Sequence, residues 1–177
     1  MPQEPKSDAH FRMFAFYSAC RDFFHPPRNT LAVVGIKRGD TVLDFGCGRG
    51  GFTVVAAEMV GPEGKVFALD VHPLAIKLVR TEIRHRDIPN VETIQSDGPT
   101  GLADESVDVV LLYDVFHDLD EPEAVLAELA RVLKPGGVLS FSDQHLKPEE
   151  AIAGIRAGGH FQFSKKPKYT FQFVRTG

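Results

Sequence analysis

Two cysteines, Cys20 and Cys47, are all that the 177 residues contain. They lie far apart in different patterns, which excludes a disulfide framework and points to reduced thiols. No apolar run is long enough to span a bilayer. There is no basic excess: 20 Lys and Arg stand against 24 Asp and Glu, for a net charge of −4. The broad positive field that draws nucleic acid to a protein surface is therefore missing, and a nucleic-acid partner is not expected. The first residues, Met1-Pro2-Gln3-Glu4-Pro5-Lys6, have no signal-peptide core. Internal repeats and low-complexity tracts are absent, and no metal site is expected. These absences leave a soluble, cytoplasmic protein as the expectation.

With 43% apolar and 25% charged residues, the chain has the composition of an ordinary globular protein, and its length suits one domain. Residues 1–9 are polar and carry prolines, so disorder is expected there. Residues 10–24 are rich in aromatics: Phe11, Phe14, Phe16, Tyr17, Phe23 and Phe24. Phe11, Phe14 and Ser18 fall on one helical face, and Met13, Tyr17 and Cys20 on another. A helix apolar on most sides must be covered. It is either packed on the main core or laid as a lid over a site, so residues 1–27 are set apart from a main domain over 28–177. His25-Pro26-Pro27 breaks the chain, and a short helix is expected through Val34.

A regular alternation follows. Strands are expected over 41–45, 65–69, 91–95, 107–113 and 138–141. Helices are expected over 50–60, 73–86, 121–133 and 148–157, the first with a stripe of Phe52, Val55, Ala56 and Met59. Lys134-Pro135-Gly136-Gly137 is expected to stop the third of these helices before the fifth strand. Segments 159–164 and 168–175 read as a closing antiparallel pair. The fold class is thus α/β: a doubly wound, mostly parallel, seven-stranded Rossmann-like sheet with an antiparallel C-terminal strand pair. In such sheets ligands bind beyond the carboxyl ends of the strands, where strand order reverses. Functional residues are expected just after each strand.

The most informative stretch is Val42-Leu43-Asp44-Phe45-Gly46-Cys47-Gly48-Arg49-Gly50-Gly51. Its glycines admit close approach of backbone to a ligand, and free N–H groups at the helix start favour an anionic group. Both G-x-G-x-G and G-x-G-x-x-G are satisfied, so the motif alone does not choose a nucleotide. Three acids do. Asp44, two residues before Gly46, would repel a pyrophosphate and welcome an ammonium. Asp70 ends the second strand, placed for ribose hydroxyls. Asp97 ends the third, placed for an adenine amino group. The ligand that combines these parts is S-adenosylmethionine.

These residues, with Ala68-Leu69-Asp70-Val71-His72, Phe116-His117-Asp118-Leu119 and Arg131-Val132-Leu133-Lys134-Pro135-Gly136-Gly137, resemble the class I S-adenosylmethionine-dependent methyltransferases. The similarity is to the small-molecule branch that includes the ubiquinone/menaquinone-biosynthesis enzymes, over about residues 28–175. The resemblance implies that Gly46, Cys47 and Gly48 approach the methionine part of the cofactor and that Asp70 holds the ribose. Val71 and His72 would flank the adenine, and Asp97 with Gly98 would reach its amino group. The backbone near Tyr113 and Asp114 would help bind the ammonium. S-adenosylhomocysteine would be the product. Each residue also has a plainer reading. Asp44 could cap the turn after it, Asp70 and Asp97 could be turn acids, His72 could shape a helix entry, and Cys47 could fill space.

Methyl transfer needs alignment above all, and hydroxyl or carbon acceptors also need a base. His117, after the fourth strand, is the catalytic candidate, with packing of its loop as the plain alternative. His145, after the fifth, is a second candidate. A small-molecule acceptor is expected, although the short segment after the fifth strand leaves the site open to a bulky one or to closure by a second subunit in a homodimer. Arsenite fits poorly, because its methylation leans on several cysteines. The asparagine-proline-proline-aromatic signature of nucleobase and amide methyltransferases is replaced by Tyr113-Asp114-Val115-Phe116. Two other functions compete: an NAD-dependent oxidoreductase, and a non-catalytic S-adenosylmethionine-binding module.

Overall fold

The computed structural model describes residues 7–176. Its first helix, α1, spans Asp8–Phe24, and the Ser7 side chain caps it by accepting from the His10 N–H. The expected disorder of residues 1–9 therefore does not extend to Asp8 and Ala9; residues 1–6 lie outside the described part. A second helix, α2 (Pro27–Leu31), is shorter than expected, because the chain turns before Val34.

The alternating segment that follows contains β1 (Thr41–Phe45), α3 (Gly51–Val60), β2 (Lys65–Asp70), α4 (Pro73–His85), β3 (Val91–Gln95), β4 (Val107–Tyr113), α5 (Pro122–Val132), β5 (Leu133–Ser142) and α6 (Pro148–Arg156). It closes with β6 (Phe161–Lys165) and β7 (Phe171–Arg175). The seven strands form one sheet in the order β3-β2-β1-β4-β5-β7-β6. The first five are parallel, while β7 runs antiparallel to both β5 and β6. Strand order reverses between β1 and β4. The crossovers from β1 run one way and those after β3 run the other, which leaves a crevice above the ends of β1 and β4.

Alternation along the strands sorts side chains to two faces. Leu43 and Phe45 of β1, with Val110 and Leu112 of β4, pack against Val125, Leu126 and Leu129 of α5 and Ile155 of α6. Val42, Val109 and Leu111 face the other way, onto Ala56, Ala57 and Val60 of α3 and Leu31 of α2. The stripe of α3 is accordingly rotated from the expected one: Thr53, Val54, Ala56, Ala57 and Val60 are buried, and Phe52, Val55 and Met59 are only partly covered. A helix under a sheet and flanked by α2 buries a broad face, which periodicity alone does not centre.

The Lys134-Pro135-Gly136-Gly137 segment ends α5 as expected but does not precede β5. It lies inside that strand as an irregularity. Leu133 pairs with Val107 and Val138 with Val109, so four residues of β5 stand opposite one of β4. Lys134 Nζ donates to both Asp108 carboxylate oxygens at 2.8 Å and ties the bulge down.

Candidate active site at the switch in strand order

The strand ends that meet at the crevice each deliver a short polar segment. After β1 the chain makes a tight turn with Gly46, Gly48 and Gly50 all at positive φ. A Cβ at Gly46 would overlap Val115 Cγ2, so glycine is required there by space as well as by conformation. Four N–H groups of this turn, ahead of the helix start, are engaged within the chain. Those of Gly46 and Cys47 both donate to the Leu69 carbonyl, at 2.8 and 2.9 Å. The Gly48 N–H donates to Asp70 Oδ2 at 2.9 Å, and the Gly50 N–H to the Cys47 carbonyl.

Asp70 is thus a two-sided brace. Its Oδ1 accepts from the His72 N–H at 2.8 Å while Oδ2 holds the glycine turn. Burial raises its pKa, and these two N–H bonds and nearby His72 work against the rise. His72 caps α4 by accepting from the Leu74 N–H through Nδ1. Its buried ring stacks on Phe11 of α1, with centroids 4.4 Å apart.

Asp44 sits beneath the turn rather than on the crevice wall. It is buried and faces α3, where Thr53 donates its hydroxyl to Oδ2 at 2.5 Å. Burial pushes its carboxyl up to about 7; the Thr53 hydroxyl bond lowers it, nearby Asp70 raises it, and a Thr53 backbone N–H bond lowers it slightly. Its visible work is to cap the start of α3 from below. Cys47 is also buried, and desolvation together with Asp70 and Asp44 raises its thiol pKa, so it is an inert filler in this structure. Tyr113 is buried with its hydroxyl 2.7 Å from Ser140 Oγ, and burial raises its pKa.

Asp114 is among the few non-glycine residues at positive φ. Its Oδ2 accepts from Arg21 Nη1 at 2.6 Å and from Gln144 Nε2 at 3.1 Å, and Oδ1 accepts from the Gln144 N–H. Arg21 and its neighbour Asp22 belong to α1, and Asp22 also pairs with Arg49 of the glycine turn at 3.0 Å. These ion pairs hold the aromatic helix against the crevice.

The crevice itself is a cavity of about 680 Å³, a size suited to a small-molecule site. Of the residues the sequence picked out, Gly46, Gly48, Asp70, Val71, His72, Asp97, Asp114 and His117 line it. Asp44, Cys47 and Tyr113 lie behind that wall, and Gly98 borders a separate groove beside α5. Phe11, Met13, Phe14 and Tyr17 of α1 form the opposite wall. Sequence reasoning located this helix without fixing which face turns inward: Phe11 is buried, whereas Phe16, Phe23 and Phe24 are exposed.

His117 follows β4 in a short 3-10 turn (Phe116–Asp118). Its Nδ1 lies 2.9 Å from Asp143 Oδ2, and the same oxygen accepts the His117 backbone N–H at 3.1 Å. The sequence reading assigned no role to Asp143. The available signal was its position, one residue past β5 and beside His145.

Comparison with known proteins fixes the family. The model of a methyltransferase domain matches residues 36–167. The chain belongs to this methyltransferase-domain family. A SAM-dependent methyltransferase from Aquifex aeolicus superposes with a TM-score of 0.72 at 30% identity, over 85% of this chain and 88% of that one. An arsenite methyltransferase of Halobacterium salinarum is 38% identical over 116 residues, 65% of this chain and 30% of that protein. A demethylmenaquinone methyltransferase of Listeria welshimeri is 33% identical over 117 residues, 66% of this chain and 50% of its own length. The chain therefore spans half or less of the curated relatives it matches. Among the described residues no helix of this methyltransferase domain is long and apolar enough to cross a membrane, and none of its His, Cys, Asp and Glu side chains cluster in threes to hold a metal.

Proposed function

We propose that this domain transfers a methyl group from S-adenosylmethionine to a small-molecule acceptor. The observation that carries the reading is the cavity at the strand-order switch, floored by a glycine turn that Asp70 braces from its wall. The residues present fit such a ligand. A Cβ at Gly48 would stand 3.7 Å from Phe14 Cε1, in the gap between turn and α1, so its absence leaves room there. Asp70 keeps unused lone pairs for ribose hydroxyls. Val71 and His72 form the adenine wall, with Asp97 at its far edge and Gly98 next to it in the adjoining groove. Gly46, Cys47 and Gly48 and the backbone at Tyr113 and Asp114 are assigned to the methionine end, with the Asp44 carboxyl buried beneath it.

When bound, the sulfonium supplies an electrophilic methyl group whose leaving group is neutral, so no acid is needed. The chain's contribution is alignment and exclusion of water. Helix α1 serves as the lid in this reading: Phe11 on His72 and Arg21 on Asp114 hold it over the cavity. His117 is the group placed to take a proton from the acceptor. Two unpaired thiols suit a reducing, cytoplasmic setting. The net charge of −4 offers nucleic acid no attraction. The exposed Phe16, Phe23 and Phe24 are the surface on which a second copy would pack to form a homodimer.

Calorimetry tests the reading. S-adenosylmethionine and S-adenosylhomocysteine should bind the wild-type chain and NAD should not. Asp70→Asn should weaken both sulfur ligands about 10- to 100-fold, as expected for loss of charge-assisted bonds to the ribose. Binding of NAD alone would overturn the assignment. Tight sulfonium binding with no transfer to any acceptor would favour a non-catalytic module.

A further inference from the structure

The two segments that follow β4 and β5 meet at one buried carboxylate. The Asp143 side chain is fully buried. Its Oδ1 accepts the His145 N–H at 3.0 Å, while Oδ2 accepts the His117 N–H at 3.1 Å and faces His117 Nδ1 at 2.9 Å. An ionised carboxylate only accepts hydrogen bonds, so Nδ1 is the nitrogen that carries the proton. Nε2 then keeps its lone pair. The other titratable groups around this ring are Asp118, whose Oδ2 lies 3.6 Å from Nε2, beyond hydrogen-bond distance, and His145, whose ring is tilted against His117 with centroids 4.0 Å apart. Both histidines line the cavity.

A mere structural histidine would need neither a dedicated buried acid nor an unbonded nitrogen on the cavity side. We propose that Asp143 is a positioning residue that fixes His117 in the Nδ1–H tautomer, and that the acceptor is a weakly acidic, phenol-like hydroxyl. The proposal rests on the methyl-transfer reading above. The hydroxyl proton passes to His117 Nε2, and an oxygen electron pair forms the new bond to the methyl carbon. The electrons of the broken carbon–sulfur bond stay on sulfur, which leaves uncharged. The resulting imidazolium keeps its bond to Asp143.

Three observations set the acceptor class. A thiol, with a pKa of about 8.5, ionises nearer neutrality than a phenol and depends less on an oriented base. Arsenic chemistry calls for thiolates, and the cavity wall contains no cysteine: Cys20 is exposed elsewhere and Cys47 lies behind the glycine turn. An aliphatic alcohol is too weak an acid for an imidazole, whereas a phenol, with a pKa of about 10, lies within a few units of it. Phe14, Tyr17 and Leu119 supply apolar wall for a ring.

The test pairs a spectroscopic readout with turnover. Nitrogen-15 NMR of the full chain should show neutral His117 as the Nδ1–H tautomer. In Asp143→Asn the amide can donate to Nδ1 and force the Nε2–H form, which cannot accept a proton. Turnover is measured with labelled S-adenosylmethionine on catechol and 1,4-hydroquinone, against 2-mercaptoethanol, benzylamine and arsenite. Methylation should be confined to the oxygens of the two hydroxyl probes, and methylation at their ring carbons overturns the proposal. His117→Gln and Asp143→Asn should each lower kcat by roughly 10² to 10⁴ with the KM for S-adenosylmethionine unchanged. The double variant should be little worse than either single one, because the two residues act as a unit. Should Asp143→Asn fail to fold, the tautomer of the wild type and the kcat of His117→Gln still decide. An Nε2–H tautomer in the wild type, unchanged kcat in His117→Gln, or turnover of only the thiol, amine or arsenite probes or of none of them overturns the proposal. Failure to bind S-adenosylmethionine in calorimetry would instead sink the underlying methyl-transfer reading.

Discussion

Replacing Asp44 by asparagine should make the protein's stability less sensitive to pH, by an amount set by one buried carboxyl. Burial lifts this group from 3.8 to about 7. A carboxyl whose folded pKa is raised contributes stability below its unfolded value and loses it as pH rises through the folded value. The loss runs at ~1.4 kcal/mol per pH unit while the unfolded form is ionised and the folded form is not. Between about pH 5 and about pH 8 the wild type therefore gives up about 3 kcal/mol at this position alone. Asparagine has nothing to ionise and can still accept the Thr53 hydroxyl through its Oδ1. Its own costs, a lost lone pair and a buried amide to satisfy, do not vary with pH and cancel in the comparison. Titrating groups that do not feel the Asp44 charge are present in both proteins and cancel as well. Urea unfolding at the two pH values should show the variant gaining about 3 kcal/mol on the wild type as pH rises. A stability difference that stays constant across that range would refute the burial argument.

Gly46→Ala should destabilise the fold by about 2–4 kcal/mol. It combines a left-handed backbone position with overlap against Val115 Cγ2. Adding Val115→Ala should recover the steric part and leave about 1–2 kcal/mol of backbone strain, visible in the same unfolding curves. Arg21→Ala removes the bond to Asp114 and should free α1 from the crevice. Hydrogen exchange over residues 8–24 should accelerate about 5- to 30-fold, as loss of about 1–2 kcal/mol of local stability implies. Exchange in the sheet should not change, and equal acceleration throughout would show that α1 is part of the main cooperative unit.

The elements easiest to read were those whose pattern is local. β1 and β4 lie where their apolar runs and flanking turns put them, because each strand buries both faces and carries its own signal. The glycine turn was legible for the same reason. What its N–H groups bind was not: they point to Leu69 and Asp70, partners more than 20 residues distant that only the β1–β2 pairing brings near. Lys134 to Gly137 misled because a turn and a large bulge use the same residues; the register against Val107 and Val109 makes the distinction. Helix α1 showed its aromatics without showing which were inward, since its ion-pair partners Arg49 and Asp114 come from other elements.

The sequence by itself determined a doubly wound sheet and a glycine turn at the switch in strand order. These follow from period and glycine placement, both of them properties of neighbouring residues. Tertiary structure alone decided that Asp44, one residue before the end of β1, turns inward to cap α3 while Asp70, the last residue of β2, reaches the cavity. It also decided that His117 faces Asp143 across 26 positions of chain. The reason is that β4 and β5 lie side by side, and pairing in a sheet sets which loops share a carboxylate.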